Sequence, residues 1–266
     1  FEIVHPSPAG ALSATATDLA NFMIAHLQDG RFGDKRILAA ATAQTMHEQS
    51  FTNDPQVNGF AHGFIEATLN GQRLLWHGGD TIFFHSVLVL IPAHNLGLVV
   101  SYNGVNGSLA YLSTLRAFID HYFPVTEPAP APLAAASAHA QQVAGSYVMA
   151  RSNQSTAEKV ANLFQMINVQ STATGELFVS LGTPAQMTMR YVETAPLVYT
   201  SVDTPPSVFG KLVFRADDQG NVTHLFQENN PTTGYLKVPW YAASGFNLTL
   251  LLLCLLLFLI TIIGGL

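Results

Sequence analysis

Charge is scarce in this chain. Only 11% of its 266 residues are Asp, Glu, Lys or Arg, and 17 acidic residues against 11 basic ones leave a net charge of −6. A nucleic-acid binder advertises itself by a basic patch or stripe, so this composition excludes that partner. Cysteine is nearly absent: Cys254 stands alone, and no internal disulfide can staple the fold. The histidines show no HExxH pairing or clustered ligand spacing, so no metal is expected, and no glycine-rich phosphate loop or other cofactor motif appears. The first residue, Phe1, is no natural start and no positively charged leader follows it. The chain therefore reads as the C-terminal part of a longer protein.

What the chain does have is a set of short apolar runs. Leu74-Leu75-Trp76-His77-Gly78-Gly79-Asp80, Phe84 to Pro92 and Leu96 to Asn103 are rich in Val and Leu and broken by Pro92 and Gly97. Runs of that length read as buried strands of an antiparallel meander. An earlier strand over 60–68 joins the first through Asn70-Gly71, a two-residue hairpin turn. Helical spacing marks residues 15–29, with Thr15 or Thr17 as N-cap, Asp18 in the first turn and Gly30 past the end. A second helical piece covers about 38–48 and a third runs from Leu109 to Tyr122.

Prolines 124, 128, 130 and 132 lie among alanines and give residues 124–140 the composition of a semi-extended linker. Short strands follow at 145–149, 177–181, 187–192, 197–202, 211–215 and 222–227, with one short helix over 157–166. That texture predicts a small β-barrel or sandwich over 141–240. Residues 246–263 carry no charge and are dominated by leucine, and Trp240 and Tyr241 precede them where an interfacial belt belongs. This segment is expected to be a transmembrane helix, and it produces most of the positive mean hydropathy of +0.26.

The run Trp76-His77-Gly78-Gly79-Asp80, with two strands behind it, resembles the third motif of the serine beta-lactamase and penicillin-binding-protein superfamily, in its His-x-Gly branch. Pro8-Ala9-Gly10-Ala11-Leu12-Ser13, running into Asp18 to Met23, is similar to a second recurrent segment of that branch. The resemblance covers roughly the first half of the chain. It implies an α/β (α+β) fold in which a beta-lactamase-like antiparallel sheet is flanked by helices, here over residues 1–123. Ala144-Gly145-Ser146-Tyr147 also resembles the opening of lipocalin-like modules that follow some of these hydrolase domains.

The chemistry implied by the resemblance is acyl transfer through an activated serine. His77, Gly78 and Gly79 match the motif positions, and the main-chain N–H of Asp80 would help hold an oxyanion. The family's Ser-x-x-Lys is missing from the first unit: no serine there has a lysine three residues on. Thr156 and Lys159 have the spacing but fall in the second domain. Ser101-Tyr102-Asn103 follows the third motif instead of preceding it and reads as a strand end. The nucleophile is thus expected upstream, and these 266 residues alone are expected to be inactive. Two departures, Phe83 before Phe84 and Ala11 where the family prefers glycine, suggest a narrowed pocket. His85 is expected to be structural.

The resemblance implies small-molecule or peptide substrates: D-amino-acid peptides, β-lactams or esters. It implies a membrane-anchored enzyme with its catalytic domain outside the cytoplasm, in a bacterial cell envelope. The alternative of a different class is a membrane-tethered binding protein that keeps the fold without the chemistry.

Overall fold

The computed structural model describes residues 10–125, 133, 136–153, 155–185, 187–203 and 209–265. Pro8-Ala9 of the upstream motif and Pro128, Pro130 and Pro132 of the linker lie outside them. The chain divides into two compact units, Phe1–Glu127 and Pro128–Leu266.

The first unit opens with helix α1 (Ala16–Leu27), whose N-terminus is closed by a reciprocal capping box. The Asp18 N–H donates to Thr15 Oγ1 at 3.1 Å, and the Thr15 N–H donates to Asp18 Oδ2 at 3.0 Å. After α1 the chain makes a minimal hairpin, β1 (Arg31–Phe32) with β2 (Lys35–Arg36), and leads to α2 (Ala40–His47). The strand expected over 60–68 is shorter: β3 covers Ile65–Leu69. Phe60 makes isolated bridges to Phe51 and Ile65, and the Ala61 N–H donates to the Phe64 carbonyl. Gly63, at φ +84°, bends the chain there and stops the strand short.

β4 (Gln72–Asp80), β5 (Phe84–Ile91) and β6 (Leu96–Asn103) complete a four-stranded antiparallel sheet in the order β3-β4-β5-β6. The β3–β4 turn is the expected Asn70-Gly71, with φ values of +49° and +71°, as a hairpin with two left-handed central residues requires. Helix α3 (Gly107–Tyr122) packs Tyr111, Leu115 and Ile119 against Leu74, Val87, Val89 and Ile91 on one face. On the other face α1 sets Met23 against Leu75, Leu88 and Leu90. Gly97 makes that packing close: a methyl there would stand 3.0 Å from Met23 Sδ.

In the second unit, α4 (Ala136–Val143) begins inside the stretch whose alanines and prolines suggested a linker. Eight strands then close a barrel in the order β10-β11-β12-β13-β14-β7-β8-β9. They are β7 (Gly145–Met149), β8 (Ile167–Ser171), β9 (Leu177–Leu181), β10 (Met187–Ala195), β11 (Val198–Ser201), β12 (Leu212–Ala216), β13 (Val222–Gln227) and β14 (Tyr235–Val238). Tyr147, Tyr191, Tyr199, Phe214 and Leu225 fill the interior, and Ala140 and Val143 of α4 join the same core. The helix expected over 157–166 is a 3₁₀ turn, Ala157–Ala161, continued by the one-turn α5 (Asn162–Gln165). Helix α6 (Ser244–Gly264) ends the described chain and is long and apolar enough to cross a membrane.

Candidate active site

β4 is nine residues long and β3 only five. Their register ends where Ile65 faces Trp76, so His77, Gly78, Gly79 and Asp80 run on beyond β3. These four residues pair with β5 alone, against Leu88, Val87, Ser86 and His85 respectively. Among the described residues nothing pairs with their other edge. An open antiparallel edge presents unpaired main-chain N–H and C=O groups to whatever extended group lies beside it.

Side chains alternate across the sheet, and this separates the four residues into two pairs. His77 and Gly79 share the face of Leu75, the one α1 covers further down the strand. His77 is exposed, and its imidazole bonds to no other described residue. Gly79 faces open space: a β-carbon added there would meet no atom within 4 Å. The cross-strand row through Gly79 is completed by Ser86 and Ser101, whose hydroxyls lie 2.8 Å apart. The floor beside His77 is therefore polar, a feature that comes from the pairing register and that no motif announces.

Gly78 and Asp80 belong to the other face, beneath α3. A methyl at Gly78 would stand 3.2 Å from the Trp76 ring and 3.5 Å from the Tyr111 hydroxyl. Asp80 uses both carboxylate oxygens: Oδ1 lies 2.6 Å from Nδ1 of His85, and Oδ2 accepts from the Tyr111 hydroxyl at 3.1 Å. Burial, then the Asp80 charge and its hydrogen bond, push the Tyr111 hydroxyl up to about 12. Tyr111 is therefore a fixed donor at neutral pH. His85 is buried, and its Nε2 has no partner among the described residues. The Asp80 side chain thus braces the strand end from behind, away from His77.

The turn between β4 and β5 is tied down at both ends. The Thr81 N–H and hydroxyl both donate to the Phe84 carbonyl, and the Gly104 N–H donates to the Phe83 carbonyl at 2.6 Å. Ile82, Phe83 and Phe84 project from this turn and are exposed. No group of three or more potential metal-ligating side chains occurs among the described residues.

The strand end thus lies in a four-stranded antiparallel sheet with α1 on one face and α3 on the other. Residues 2–121 match the Beta-lactamase family, and this part of the chain is a beta-lactamase-family domain. No curated protein matches the chain. Among solved structures, the crystal structure of SurE with D-Leu is similar at 18% identity, over 85% of this chain and 50% of that one, with a TM-score of 0.49. A second crystal structure of SurE gives 17% identity, 85% and 48% coverage and a TM-score of 0.48. The octameric penicillin-binding protein homologue from Pyrococcus abyssi gives 13% identity, 84% and 47% coverage and a TM-score of 0.35. The chain spans about half the length of these structures.

Proposed function

We propose that the first unit forms one wall of an acyl-serine site in a membrane-anchored hydrolase. The substrates are D-amino-acid peptides, β-lactams or esters, and the nucleophilic serine comes from outside these 266 residues. The observation that carries this reading is the open β4 edge from His77 to Asp80. A substrate acyl chain lies along it as an added strand, Gly79 leaves room for its backbone, and the Asp80 N–H helps hold the oxyanion. His77 stands beside the reacting carbonyl, where it hydrogen-bonds the substrate or moves a proton. The apolar helix α6 anchors the enzyme, with the catalytic unit outside the cytoplasm.

The test is made on the protein expressed from its complete reading frame. A fluorophosphonate probe should label one serine, that of a Ser-x-x-Lys upstream of Phe1, and residues Phe1 to Tyr241 alone should neither label nor turn over a chromogenic β-lactam. His77→Ala should lower kcat/KM by roughly 10²-fold, the scale of one proton-transfer group. Gly79→Val should abolish substrate binding with the melting temperature unchanged, since its side chain enters empty space. Wild-type turnover per folded molecule in His77→Ala would sink the assignment. Ligand binding without any probe labelling would favour the tethered binding protein.

A further inference from the structure

The second unit exposes an apolar surface at the root of α6 that its own core does not use. Trp240 and Tyr241 form a 3₁₀ turn just before the helix, and the Trp240 ring meets Phe246 edge to face at 5.0 Å. Trp240 is 71% exposed and Tyr241 60%. The one-turn helix α5 packs beside α6 although some eighty residues separate them in sequence. Its Phe164 is 47% exposed, and Val160, in the 3₁₀ turn leading into it, is 59% exposed. Three stretches of chain thus place large apolar side chains around the start of one helix.

We propose that the 157–165 segment is a second membrane contact, with Val160 and Phe164 inserted into the bilayer interface beside α6. This rests on the reading of α6 as a membrane span. The occupant is fixed by continuity: if α6 enters lipid, the groups packed against its first turn stand at the headgroup level. Trp and Tyr are the residues that favour that level, with an apolar body and a polar edge. Charge argues the same way. Residues 145–239 carry six Lys and Arg against seven Asp and Glu, so attraction to anionic lipid is weak and apolar burial must provide the contact. The consequence is orientation. A single span leaves a domain free to swing, whereas a second contact fixes which side of the barrel faces the membrane.

The full chain is reconstituted into phosphatidylcholine vesicles with Cys254→Ser, and an environment-sensitive fluorophore is placed on Phe164→Cys. A matched sample carries the label on Arg215→Cys in β12, four strands from β8 around the barrel. A third carries it on the native Cys254, in the middle of α6. The label at 164 should shift to the blue and lose intensity to a quencher held near the lipid headgroup. The label at 215 should do neither. Adding anionic lipid or salt should leave the signal at 164 in place. The label at 254 should respond to a quencher at the acyl-chain end. If 254 responds and 164 stays solvent-like, the span is right and the second contact is wrong. If neither responds, the span has failed and the contact falls with it. If 164 and 215 respond alike, the barrel is not held on the α5 side and the inference is overturned.

Discussion

Gly79 and Gly107 both have ordinary negative or extended backbone angles, so what differs between them is space. A β-carbon at Gly107 would sit 2.4 Å from Cδ2 of His85, on a ring that Asp80 holds in place. Gly107→Ala should therefore cost about 1–3 kcal/mol, the usual range for overpacking, and lower the melting temperature. Gly79→Ala should leave it unchanged, and equal melting temperatures for the two variants would refute the packing argument. The His77-Gly-Gly-Asp run is legible in the sequence because its residues are consecutive. The Asp80–His85–Tyr111 brace is not, since Tyr111 lies thirty-one positions from Asp80 and meets it only through the fold. A second assembly of that kind is His26 of α1 against His47 of α2, with Nδ1 and Nε2 3.2 Å apart and Phe64 edge-on to both rings. Burial lowers both pKa values from the ordinary 6.5; the neighbouring His47 adds to it at His26, and Arg73 does at His47, where Asp29 pulls the other way. Because the folded values are depressed, the unfolded chain binds more protons just below pH 6.5, so stability is full above that pH and is lost as pH falls through the folded values. Urea midpoints measured from about pH 7.5 to about pH 5.5 should fall, and His47→Gln should flatten the slope. An unchanged slope would mean that the pair does not set the pH dependence of stability.

Among the elements, the β3–β4 hairpin shows how one buried carboxylate organises a strand pair. Glu66 is 3% exposed and accepts from Gln49 Nε2 at 2.5 Å, from the Gly59 N–H at 3.0 Å and from Arg73 Nε at 2.9 Å. Burial alone would raise its pKa, but the bonds from Gln49, Arg73 and Gly59 outweigh it and the net shift is downward. Glu66→Ala would strand the Gly59 N–H and the Gln49 amide while the half-exposed Arg73 regains water. The expected loss is about 3 kcal/mol, the lower end for breaking a buried pair. Denaturant unfolding of Glu66→Ala measures it, and a loss under about 1 kcal/mol would reduce Glu66 to an ordinary surface partner. This hairpin was visible in the sequence through Asn70-Gly71, a turn whose chemistry is local. Strands β8 and β14 were not: Ile167–Ser171 follows directly on the segment read as a helix and declares itself by pairing with β7 and β9, and the four-residue Tyr235–Val238 pairs with β7, some ninety residues earlier in the chain. Helix α4 was hidden differently. Its Ala-Ser-Ala-His-Ala composition suits a linker, and only the burial of Ala140 and Val143 in the barrel core makes it a structural helix.

At the scale of the molecule, the question is what α6 contributes to the unit it ends. Its 21 residues span about 31 Å at 1.5 Å per residue, close to the roughly 30 Å hydrocarbon thickness of a bilayer. Its most apolar window has a mean hydropathy of 2.8, and none of that window is buried within the molecule. A helix serving a soluble core would turn one stripe inward, and this one does not. The barrel core, in contrast, is assembled from residues between Ala140 and Tyr235, with no side chain of α6 in it. The apolar helix is therefore separable from the fold of the barrel in the second unit. The full chain expressed in bacteria should sediment with membranes and resist extraction by alkaline carbonate. A chain ending at Trp240 should appear in the soluble fraction with the β-barrel signature of its circular dichroism intact, because the closed strand order loses no member. Recovery of the full chain in the high-speed supernatant would refute the span. Aggregation of the truncated chain, with loss of the β signal, would show instead that α6 is needed for the barrel to fold, and the separation argued from the core would be wrong.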